Sequence, residues 1–228
     1  MSQIEWRDDV LPVSTRFDDP YYSRSDGRAE CDHVFIKGND LPQRWENMTQ
    51  CTIAELGFGT GLNFLETVRQ WQQIRPKDAK LHFVSFEKFP LSFEEMQRAL
   101  AVWPELNELA ILLGEIWIPV SDAIDEAFTE DVRLSVHIGD ANEILPSAEF
   151  EANAWYLDGF SPAKNPELWN EALMNSVADK TAADGTFSTY SAAGFVRRNL
   201  QTAGFQVQKV PGFGRKREML VGKKLTDI

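Results

Sequence analysis

The residues most suggestive of chemistry lie in the segment AELGFGTGLN, residues 54–63. Gly57, Gly59 and Gly61 occupy alternate positions there and follow the acid Glu55. Glycine lets the backbone turn sharply and lets a ligand approach where a Cβ atom would collide. The N-terminus of the helix expected next would offer free N–H groups and a positive dipole to an anionic group. We therefore predict that this loop binds a nucleotide-like ligand.

The spacing of the glycines separates two classes of cofactor. Dinucleotide loops have the pattern G-x-G-x-x-G, whereas this loop is one residue tighter and is preceded by an acid, E-x-G-x-G-x-G. That pattern is typical of S-adenosylmethionine sites, which hold no pyrophosphate. The loop residues predicted to contact this cofactor are Glu55, Gly57, Phe58, Gly59, Thr60, Gly61 and Asn63. A glycine-rich turn with a purely structural role is the alternative.

Two further acids follow the next two predicted strands, Glu87 in VSFEKF and Asp140 in HIGDA. Open α/β sheets bind ligands at the carboxyl ends of their parallel strands. Glu87 is therefore predicted to accept hydrogen bonds from a ribose, and Asp140 from an adenine amino group. Lys88 and Ala141 are predicted to lie beside the same cofactor. Asp140 could equally cap the helix that follows it.

The fourth predicted strand ends in LDGFSPAKNPELW, residues 157–169. The turn at Asp158, the aromatic ring of Phe160 and Pro162 indicate a rigid loop that holds a carboxylate beside a flat surface. Amino-methylating enzymes often have an acid or amide followed by Pro-Pro-aromatic here, and this segment departs from that order. Methyl transfer to an amine needs an aligned lone pair, so Asp158 is predicted to orient the amine and accept its proton. Asp158 is also predicted to contact the cofactor. A capping Asp in an ordinary strand-to-helix loop is the alternative.

Short apolar runs alternate with helix-like stretches along the chain, which predicts a parallel sheet flanked by helices. The predicted strands are 52–56, 81–87, 133–138, 155–159, 185–190, 205–210 and 218–222, and the predicted helices are 62–73, 92–100, 105–113, 167–181 and 192–203. The connection 211–217 is too short for a crossover helix, so the last strand is expected to be antiparallel.

These elements predict an α/β fold of the class I S-adenosylmethionine-dependent methyltransferase type. Its Rossmann-like sheet should have seven strands, mainly parallel, with the last one antiparallel. We expect the methyltransferase domain over 51–228, with an insertion at about 90–131 between the second and third strands. Residues 1–50 are expected to be an extension packed on this core, irregular but with short strands.

Composition limits the partners and the compartment. The net charge of −12 argues against a general nucleic-acid binder, although 186–228 holds eight Lys/Arg against two acids. That basic segment permits an RNA-facing edge, and a solvated face is the alternative. Two cysteines without CxxC spacing, a charged start and the lack of a long apolar run favour a cytoplasmic protein without a membrane span. The three histidines lie too far apart to suggest a metal site.

Long motifs of the chain resemble the methyltransferase domain of the MnmC family, which acts in tRNA 5-methylaminomethyl-2-thiouridine biosynthesis. The motifs are VSTRFDDPYYS, VFIKGNDLPQRW, ELGFGTGLNFL, SFEKFPL, LDGFSPAKNPELW, SAAGFVRRNLQ and GFGRKREMLVG, in register from residue 13 to 222. The resemblance implies methylation of 5-aminomethyluridine, often 2-thiolated, at the tRNA wobble position. S-adenosylmethionine would be the methyl donor, S-adenosylhomocysteine the product and tRNA the partner.

The resemblance also indicates where substrate would bind. The residues predicted to contact substrate are Tyr22, Asn39, Phe160, Pro162, Lys164, Tyr190, Arg215 and Arg217. Bifunctional members continue into an FAD-dependent oxidoreductase domain, but no second glycine-rich unit follows here, so FAD is not expected in this chain. Two other functions remain open: a small-molecule amine N-methyltransferase and a non-catalytic S-adenosylmethionine-binding module.

Overall fold

A computed structural model describes residues 3–117 and 123–225. The strands within those ranges are β1 (Ile4–Arg7), β2 (Leu11–Ser14), β3 (Asp19–Pro20), β4 (Gln50–Leu56), β5 (Lys80–Glu87), β6 (Ala123–Ala127), β7 (Val132–Ile138), β8 (Ala152–Leu157), β9 (Thr181–Thr189), β10 (Phe205–Pro211) and β11 (Glu218–Lys224). The α-helices are α1 (Gly27–Cys31), α2 (Leu41–Trp45), α3 (Leu62–Ile74), α4 (Phe93–Leu100), α5 (Asn107–Ile116), α6 (Ala141–Ile144), α7 (Glu171–Asp179) and α8 (Gly194–Thr202). A π-helical turn covers Asp32–Ile36, and 3₁₀ turns cover Pro104–Leu106, Leu145–Ser147 and Pro166–Trp169.

The large sheet has the strand order β10-β11-β9-β8-β4-β5-β7-β6. Strands β7, β5, β4, β8 and β9 pair in parallel, and β11 runs antiparallel between β9 and β10. The chain leaves β4 toward β5 and later returns to β8 on its other side, which creates a switch point between β4 and β8. The predicted mainly parallel sheet with an antiparallel last strand is confirmed.

An eighth strand, β6, extends this sheet beyond the seven that were predicted. It pairs antiparallel with β7 and belongs to the segment predicted to be an insertion. Within β6 only Ile124 is buried, and the other four side chains are exposed. A strand with a single buried side chain has no readable apolar alternation, so periodicity could not predict it.

The sheet is buried on both faces because its side chains alternate between two apolar layers. On β8, Tyr156 joins the layer formed with α3, whereas Trp155 joins the layer formed with α7 and α8. Helices on both faces leave the carboxyl edge of the strands as the place where loops meet. Every predicted acid lies in the last residues of a strand or just after it, at this edge.

The N-terminal segment differs from its prediction. Strands β1, β2 and β3 form a separate antiparallel sheet, as the expectation of short strands allowed. The stretch from Gly27 to Trp45 is largely helical rather than irregular. Its helices are only five residues long, too short to show a 3.6-residue apolar period. Trp45 packs edge-to-face on Trp71 of α3, and Phe35 stacks on Tyr156 of β8.

Candidate active site

The backbone of the glycine loop between β4 and α3 has φ angles that residues with a side chain adopt only with strain. Gly57, Gly59 and Gly61 have φ angles of +92°, +53° and +78°. These angles lie in the left-handed region that glycine adopts without penalty. A Cβ atom on Gly61 would also lie 3.0 Å from Leu113 Cδ2. The alternating glycines are therefore required by the turn, and they leave the loop open toward the cavities beside it.

Two adjoining cavities lie at the carboxyl edge of the sheet, with volumes of about 400 Å³ and 390 Å³. The larger cavity lies between the glycine loop, the N-terminal segment and Asp158. The smaller one lies between the ends of β5 and β7 and the 159–168 segment. Gly57, Glu87 and Phe160 line both. A ligand that follows the glycine loop can therefore reach from one cavity into the other.

Asp158 lies at the wall of the larger cavity and is linked to Glu55 through Asn63. The Asn63 amide donates from Nδ2 to Asp158 Oδ2 at 2.8 Å and to Glu55 Oε1 at 3.0 Å. The backbone N–H of Gly159 donates to Asp158 Oδ1 at 2.8 Å, and the Ser85 hydroxyl donates to Glu55 Oε2 at 2.8 Å. One amide of α3 thus fixes the acids at the ends of two neighbouring strands.

These two acids hold their protons unusually tightly. Burial raises the pKa of Asp158 to about 7, although hydrogen bonds from Gly159 and Asn63 oppose the shift. Burial raises the pKa of Glu55 to about 8, and the nearby Asp158 adds to the effect. Removing a carboxylate from water penalises its charged form. Asp158 can therefore exchange a proton near neutral pH, which suits acid–base work on a bound amine.

Glu87 faces both cavities from the end of β5. Its Oε2 accepts from the Gly59 N–H at 2.9 Å, and its Oε1 accepts from the Phe89 N–H at 2.6 Å. Burial raises the pKa of Glu87, whereas the backbone N–H groups around it oppose the shift. The carboxylate is thus held beside the glycine loop, at a position suited to a ribose diol.

Lys88 and Asp140 form an ion pair at the wall of the smaller cavity, with Nζ 2.6 Å from Oδ2. Asp140 also caps α6, because its Oδ1 accepts from the Asn142 backbone N–H at 2.9 Å. The hydrogen bond from Lys88 lowers the pKa of Asp140. The capping alternative is therefore what the fold shows, and the same carboxylate also lines the cavity. Ala141 lies beside it in the wall.

Aromatic side chains cover the region where the two cavities meet. Phe160 stacks on Phe17 with ring centroids 4.6 Å apart, and Tyr21 meets Phe160 edge-on at 5.1 Å. The N-terminal segment is held there by Asp19, whose Oδ2 accepts from the Ser161 N–H at 2.8 Å. Phe160 thus presents the flat surface that its motif predicted. A ring from the N-terminal segment already lies against it.

The structure brings many of the predicted site residues together. The predicted residues that line at least one cavity are Tyr22, Gly57, Phe58, Gly59, Thr60, Asn63, Glu87, Lys88, Asp140, Ala141, Asp158, Phe160, Lys164 and Tyr190. The predicted residues absent from both walls are Asn39, Glu55, Gly61, Pro162, Arg215 and Arg217. Glu55 reaches the site only through Asn63, because its own side chain is fully buried.

Asn39 departs most clearly from its predicted role in binding substrate. Its side chain is 1% exposed and donates to the Trp155 carbonyl at 3.2 Å and to the Ser188 hydroxyl at 2.6 Å. The Thr186 hydroxyl donates to its Oδ1 at 2.7 Å. Asn39 therefore joins the N-terminal segment to β8 and β9 within the core, and the structure does not place it at the site.

Other residues line the cavities without having been singled out from the sequence. They are chiefly Arg16, Phe17, Tyr21, Glu30, Phe89 and Lys216. Most lie in motifs that carried the family resemblance, and that membership was the available signal. Their residue types alone, three charged side chains and three aromatic rings, are common on any surface or in any core.

Comparison with known proteins identifies the chemistry of this site. A family model described as S-adenosyl-L-methionine-dependent methyltransferase matches residues 104–225, more than half of the chain. The chain belongs to this methyltransferase family. The matched range includes Asp140, Asp158 and Lys216 but not the glycine loop, so the loop supports the cofactor assignment independently. The predicted use of S-adenosylmethionine is confirmed.

Relatives and a solved structure extend the likeness to nearly the whole methyltransferase. It is 45% identical over 97% of its length to the tRNA 5-methylaminomethyl-2-thiouridine biosynthesis bifunctional protein MnmC of Methylobacillus flagellatus, and it covers 35% of that protein. It is 46% identical over 97% of its length to the protein of the same name from Stutzerimonas stutzeri, covering 34%. The predicted resemblance is confirmed, and the chain spans about a third of the length of these curated relatives.

The crystal structure of MNMC2 from Aquifex aeolicus shares the fold. It superposes with a TM-score of 0.82 at 24% identity, and the match covers 100% of this chain and 72% of the other. In residues 3–117 and 123–225, no helix of the methyltransferase combines the length and apolar character needed to span a membrane. Over the same ranges, no cluster of three or more His, Cys, Asp or Glu side chains could hold a metal ion.

Proposed function

We propose that this methyltransferase transfers a methyl group to the amine of 5-aminomethyluridine, or its 2-thio form, at the wobble position of tRNA. The observation that carries the proposal is Asp158, a carboxyl with a pKa of about 7 at the wall of a cavity bounded by aromatic rings. The relatives' name supplies the nucleoside, because they act in tRNA 5-methylaminomethyl-2-thiouridine biosynthesis. A tRNA substrate implies a cytoplasmic enzyme.

The walls of the two cavities fit S-adenosylmethionine. The glycine loop has no Cβ atoms at Gly57 and Gly59, which line the larger cavity, so a nucleoside can lie close to its backbone there. We infer that Glu87 accepts from a ribose and Asp140 from an adenine amino group. When bound, the cofactor supplies a methyl group on a positively charged sulfur. No residue of the chain has to provide the methyl donor itself.

Asp158 would orient the amine and take its proton. An alkyl ammonium has a pKa of about 10 in water, close to that of lysine, so most of the substrate arrives protonated. Both Asp158 oxygens already accept one hydrogen bond each and retain lone pairs for the amine. The fixed carboxylate holds the nitrogen in line and accepts a proton directly or through water. Alignment and proton transfer are the two contributions that the protein makes.

The aromatic rings and the basic turn fit a nucleic-acid base and its backbone. Stacking of a base on an aromatic ring is worth about 1–3 kcal/mol, and Phe160 offers such a ring beside the cavity. Arg215 and Arg217 are exposed on the turn between β10 and β11, on either side of the cavity residue Lys216. We infer that they contact phosphates outside the cavity mouth.

The assignment is tested by incubating the protein with methyl-labelled S-adenosylmethionine and tRNA that carries 5-aminomethyluridine. We expect label on the wobble nucleoside after digestion, and none on matched tRNA with an unmodified uridine. Absence of label on the wobble base would reject the tRNA assignment.

The double variant Arg215→Ala/Arg217→Ala should bind tRNA more weakly. The slope of log K against log salt should fall in magnitude by about 1 to 2.

A small-molecule amine N-methyltransferase is the second candidate, and the net charge of −12 favours it. The free nucleoside 5-aminomethyluridine separates the two functions. A tRNA enzyme should use the nucleoside far less efficiently than the tRNA, whereas a small-molecule enzyme should show the reverse preference.

The relatives are named bifunctional and are about three times longer. We propose that an FAD-dependent oxidoreductase step, if it precedes methylation, belongs to a domain outside this chain.

A further inference from the structure

One ammonium group of the protein lies inside the larger cavity. Lys216 Nζ is 2.9 Å from Glu30 Oε1 and lies over the ring of Tyr190, 3.9 Å from its centroid. All three residues line this cavity. Glu30 and Lys216 are 186 positions apart in the chain. The contact therefore connects α1 with the turn between β10 and β11 across the cavity.

The groups that receive this ammonium are held independently of it. The backbone N–H of Ser23 donates to the other carboxylate oxygen of Glu30 at 3.0 Å. The Tyr190 hydroxyl donates to the Gly159 carbonyl at 2.6 Å, which fixes the ring beside the loop that carries Asp158. The Glu30 side chain is only 12% exposed. A carboxylate and an aromatic face would therefore remain in place if Lys216 left.

Lys216 is the movable member of the contact. Its side chain is 43% exposed and lies on a turn that contains Gly212 and Gly214. Gly214 has a φ of +58°, which glycine adopts without penalty. Lysine carries a compact charge on a flexible stem, so its ammonium can leave one partner for another at small cost. The Lys216 end of the ion pair is partly exposed to solvent, which screens the attraction.

A carboxylate combined with an aromatic face is a general way to bind an alkyl ammonium, through a charge-assisted hydrogen bond and a cation–π contact. We propose that Glu30 and the Tyr190 ring form the subsite for the protonated aminomethyl group of the substrate, and that Lys216 occupies this subsite until substrate displaces it. The inference rests on the proposed function, since it assumes an amine substrate. It adds a residue that selects for that amine before Asp158 takes the proton.

The position of the subsite fits a path for the amine. Tyr190 is hydrogen-bonded to Gly159, the residue directly after Asp158. The charges of Glu30 and Lys216 both act on the Asp158 carboxyl, with Glu30 raising its pKa and Lys216 lowering it. An ammonium held by Glu30 is thus close to the group that accepts its proton.

The first test compares two RNA probes that differ only in charge. They are tRNA with 5-aminomethyluridine and tRNA with the neutral 5-hydroxymethyluridine, bound in the presence of S-adenosylhomocysteine. Glu30→Gln should weaken binding of the amine probe roughly 10- to 100-fold, the loss expected for a hydrogen bond to a charged group, and change binding of the hydroxymethyl probe little. Equal losses for both probes, or no loss for either, would overturn the subsite.

A matched control removes a different acid that also forms an ion pair with a lysine but lies outside the site. Asp184 Oδ1 lies 2.7 Å from Lys223 Nζ, and neither residue lines a cavity. This pair lies near the amino end of β9, away from the carboxyl edge that holds the site. Asp184→Asn should leave binding of both RNA probes unchanged. A selective loss in this control would also overturn the subsite.

The second test removes the internal occupant and uses free nucleosides, so that no phosphate contact of Lys216 contributes. Lys216→Met should tighten binding of 5-aminomethyluridine about three- to tenfold, because the subsite no longer has to be vacated. It should not tighten 5-hydroxymethyluridine, and the gain should vanish when Glu30→Gln is combined with it. Lys223→Met should give no gain. A gain for both nucleosides, or none for the amine, contradicts the displacement.

Turnover of the wild-type protein on tRNA separates this inference from the proposed function. Failure to methylate the wobble base, with amine-selective nucleoside binding retained, would reject the proposed function and leave the subsite standing. Normal methylation with an unselective effect of Glu30→Gln would reject the subsite and leave the function standing.

Discussion

The carboxyl groups at the two ends of the site have pKa values that are shifted in opposite directions. At the amine end, formed by Asp158, Asn63 and Glu55, the donors to the carboxyls within the described residues are neutral, and burial raises the pKa of both acids. At the adenosine end, Lys88 lies 2.6 Å from Asp140, and that contact lowers the pKa of Asp140. Two carboxyls at the same edge of the sheet, one after β8 and one after β7, thus have pKa values shifted in opposite directions.

The difference indicates that the two carboxyls have different roles. A carboxyl that titrates near pH 7 can take and release a proton during turnover, whereas one held well below its usual range stays a fixed acceptor. The difference follows from the ion pair of Lys88 with Asp140, whereas Lys216 is paired with Glu30 and lowers the pKa of Asp158 by less than burial raises it. It follows that substitutions at the amine end should change rate and pH dependence, and those at the adenosine end should change cofactor binding only modestly.

The largest expected effect comes from Asp158→Asn, which keeps the shape of the amine end but removes the proton acceptor. We expect kcat on tRNA to fall by about 10²- to 10⁴-fold, the range for loss of a general base. The dissociation constant of S-adenosylhomocysteine, measured by calorimetry, should stay within a few-fold. Asp140→Asn is the matched control at the adenosine end, where kcat should stay within a few-fold and the dissociation constant should rise only modestly. Normal kcat in Asp158→Asn would remove the proposed acceptor.

Glu55→Gln should stabilise the protein at high pH. The pKa of Glu55 is about 8 in the fold against an ordinary 4.5, so the folded state favours the protonated acid. The stabilising contribution is complete below about pH 4.5 and is lost as the pH rises through about 8. A neutral amide avoids this loss, and at pH 8.5 the variant should gain roughly 1–4 kcal/mol in free energy of unfolding.

Urea unfolding of Glu55→Gln and wild type at pH 5 and pH 8.5 measures this change. The gain should shrink toward zero at the lower pH. Glu46→Gln alters an exposed carboxylate and should change the free energy of unfolding by less than about 0.5 kcal/mol at both pH values. A destabilised Glu55→Gln at pH 8.5 would mean that the charged form of Glu55 is the one that the fold favours.

The pH profile of kcat/KM tests whether the ionisation of Asp158 controls activity. Asp158 cannot accept a proton while it is protonated, so wild-type activity should rise with pH up to about 7, where this carboxyl ionises. The substrate amine also loses its proton as the pH rises, and that contribution is shared by all variants. Below pH 7 the wild-type profile should therefore be steeper than that of Asp158→Asn by about one log unit per pH unit. Parallel profiles would assign the ionisation to another group.

Much of the fold could be predicted because it rests on local patterns. The parallel strands are apolar runs bounded by turns, and the glycine spacing marks the loop after β4. The acids at the ends of β5, β7 and β8 were found because strand ends in such a sheet converge on one edge. These signals need only a short stretch of sequence, and the fold class follows from them.

The parts that could not be predicted depend on long-range contacts. The Ser161 N–H meets Asp19 across 142 positions, and the sequence holds no sign of that pairing. The same is true of Phe17 on Phe160 and of Lys216 in the cavity. The glycine motif singled out Glu55 as a cofactor contact, but its hydrogen bond from Asn63 and its full burial become evident only once α3 is packed on the sheet. The direction of each acid's pKa follows from these contacts, so no motif could supply it.

The smallest expected effect is at the adenosine end, in Lys88→Met. The Lys88 side chain is 44% exposed and that of Asp140 is 23% exposed, so water and salt screen their attraction. Such pairs contribute about 0–1 kcal/mol, and the free energy of unfolding should change by no more than that. The dissociation constant of S-adenosylhomocysteine should rise at most about fivefold at low salt, with the difference fading at high salt. Calorimetry at low and high salt measures this change.

Lys180→Met is the control for charge removal, because this half-buried lysine is absent from both cavity walls. A loss of cofactor affinity as large as the loss of kcat in Asp158→Asn would contradict separate roles for the two ends, because the ion pair would then be essential for binding the cofactor.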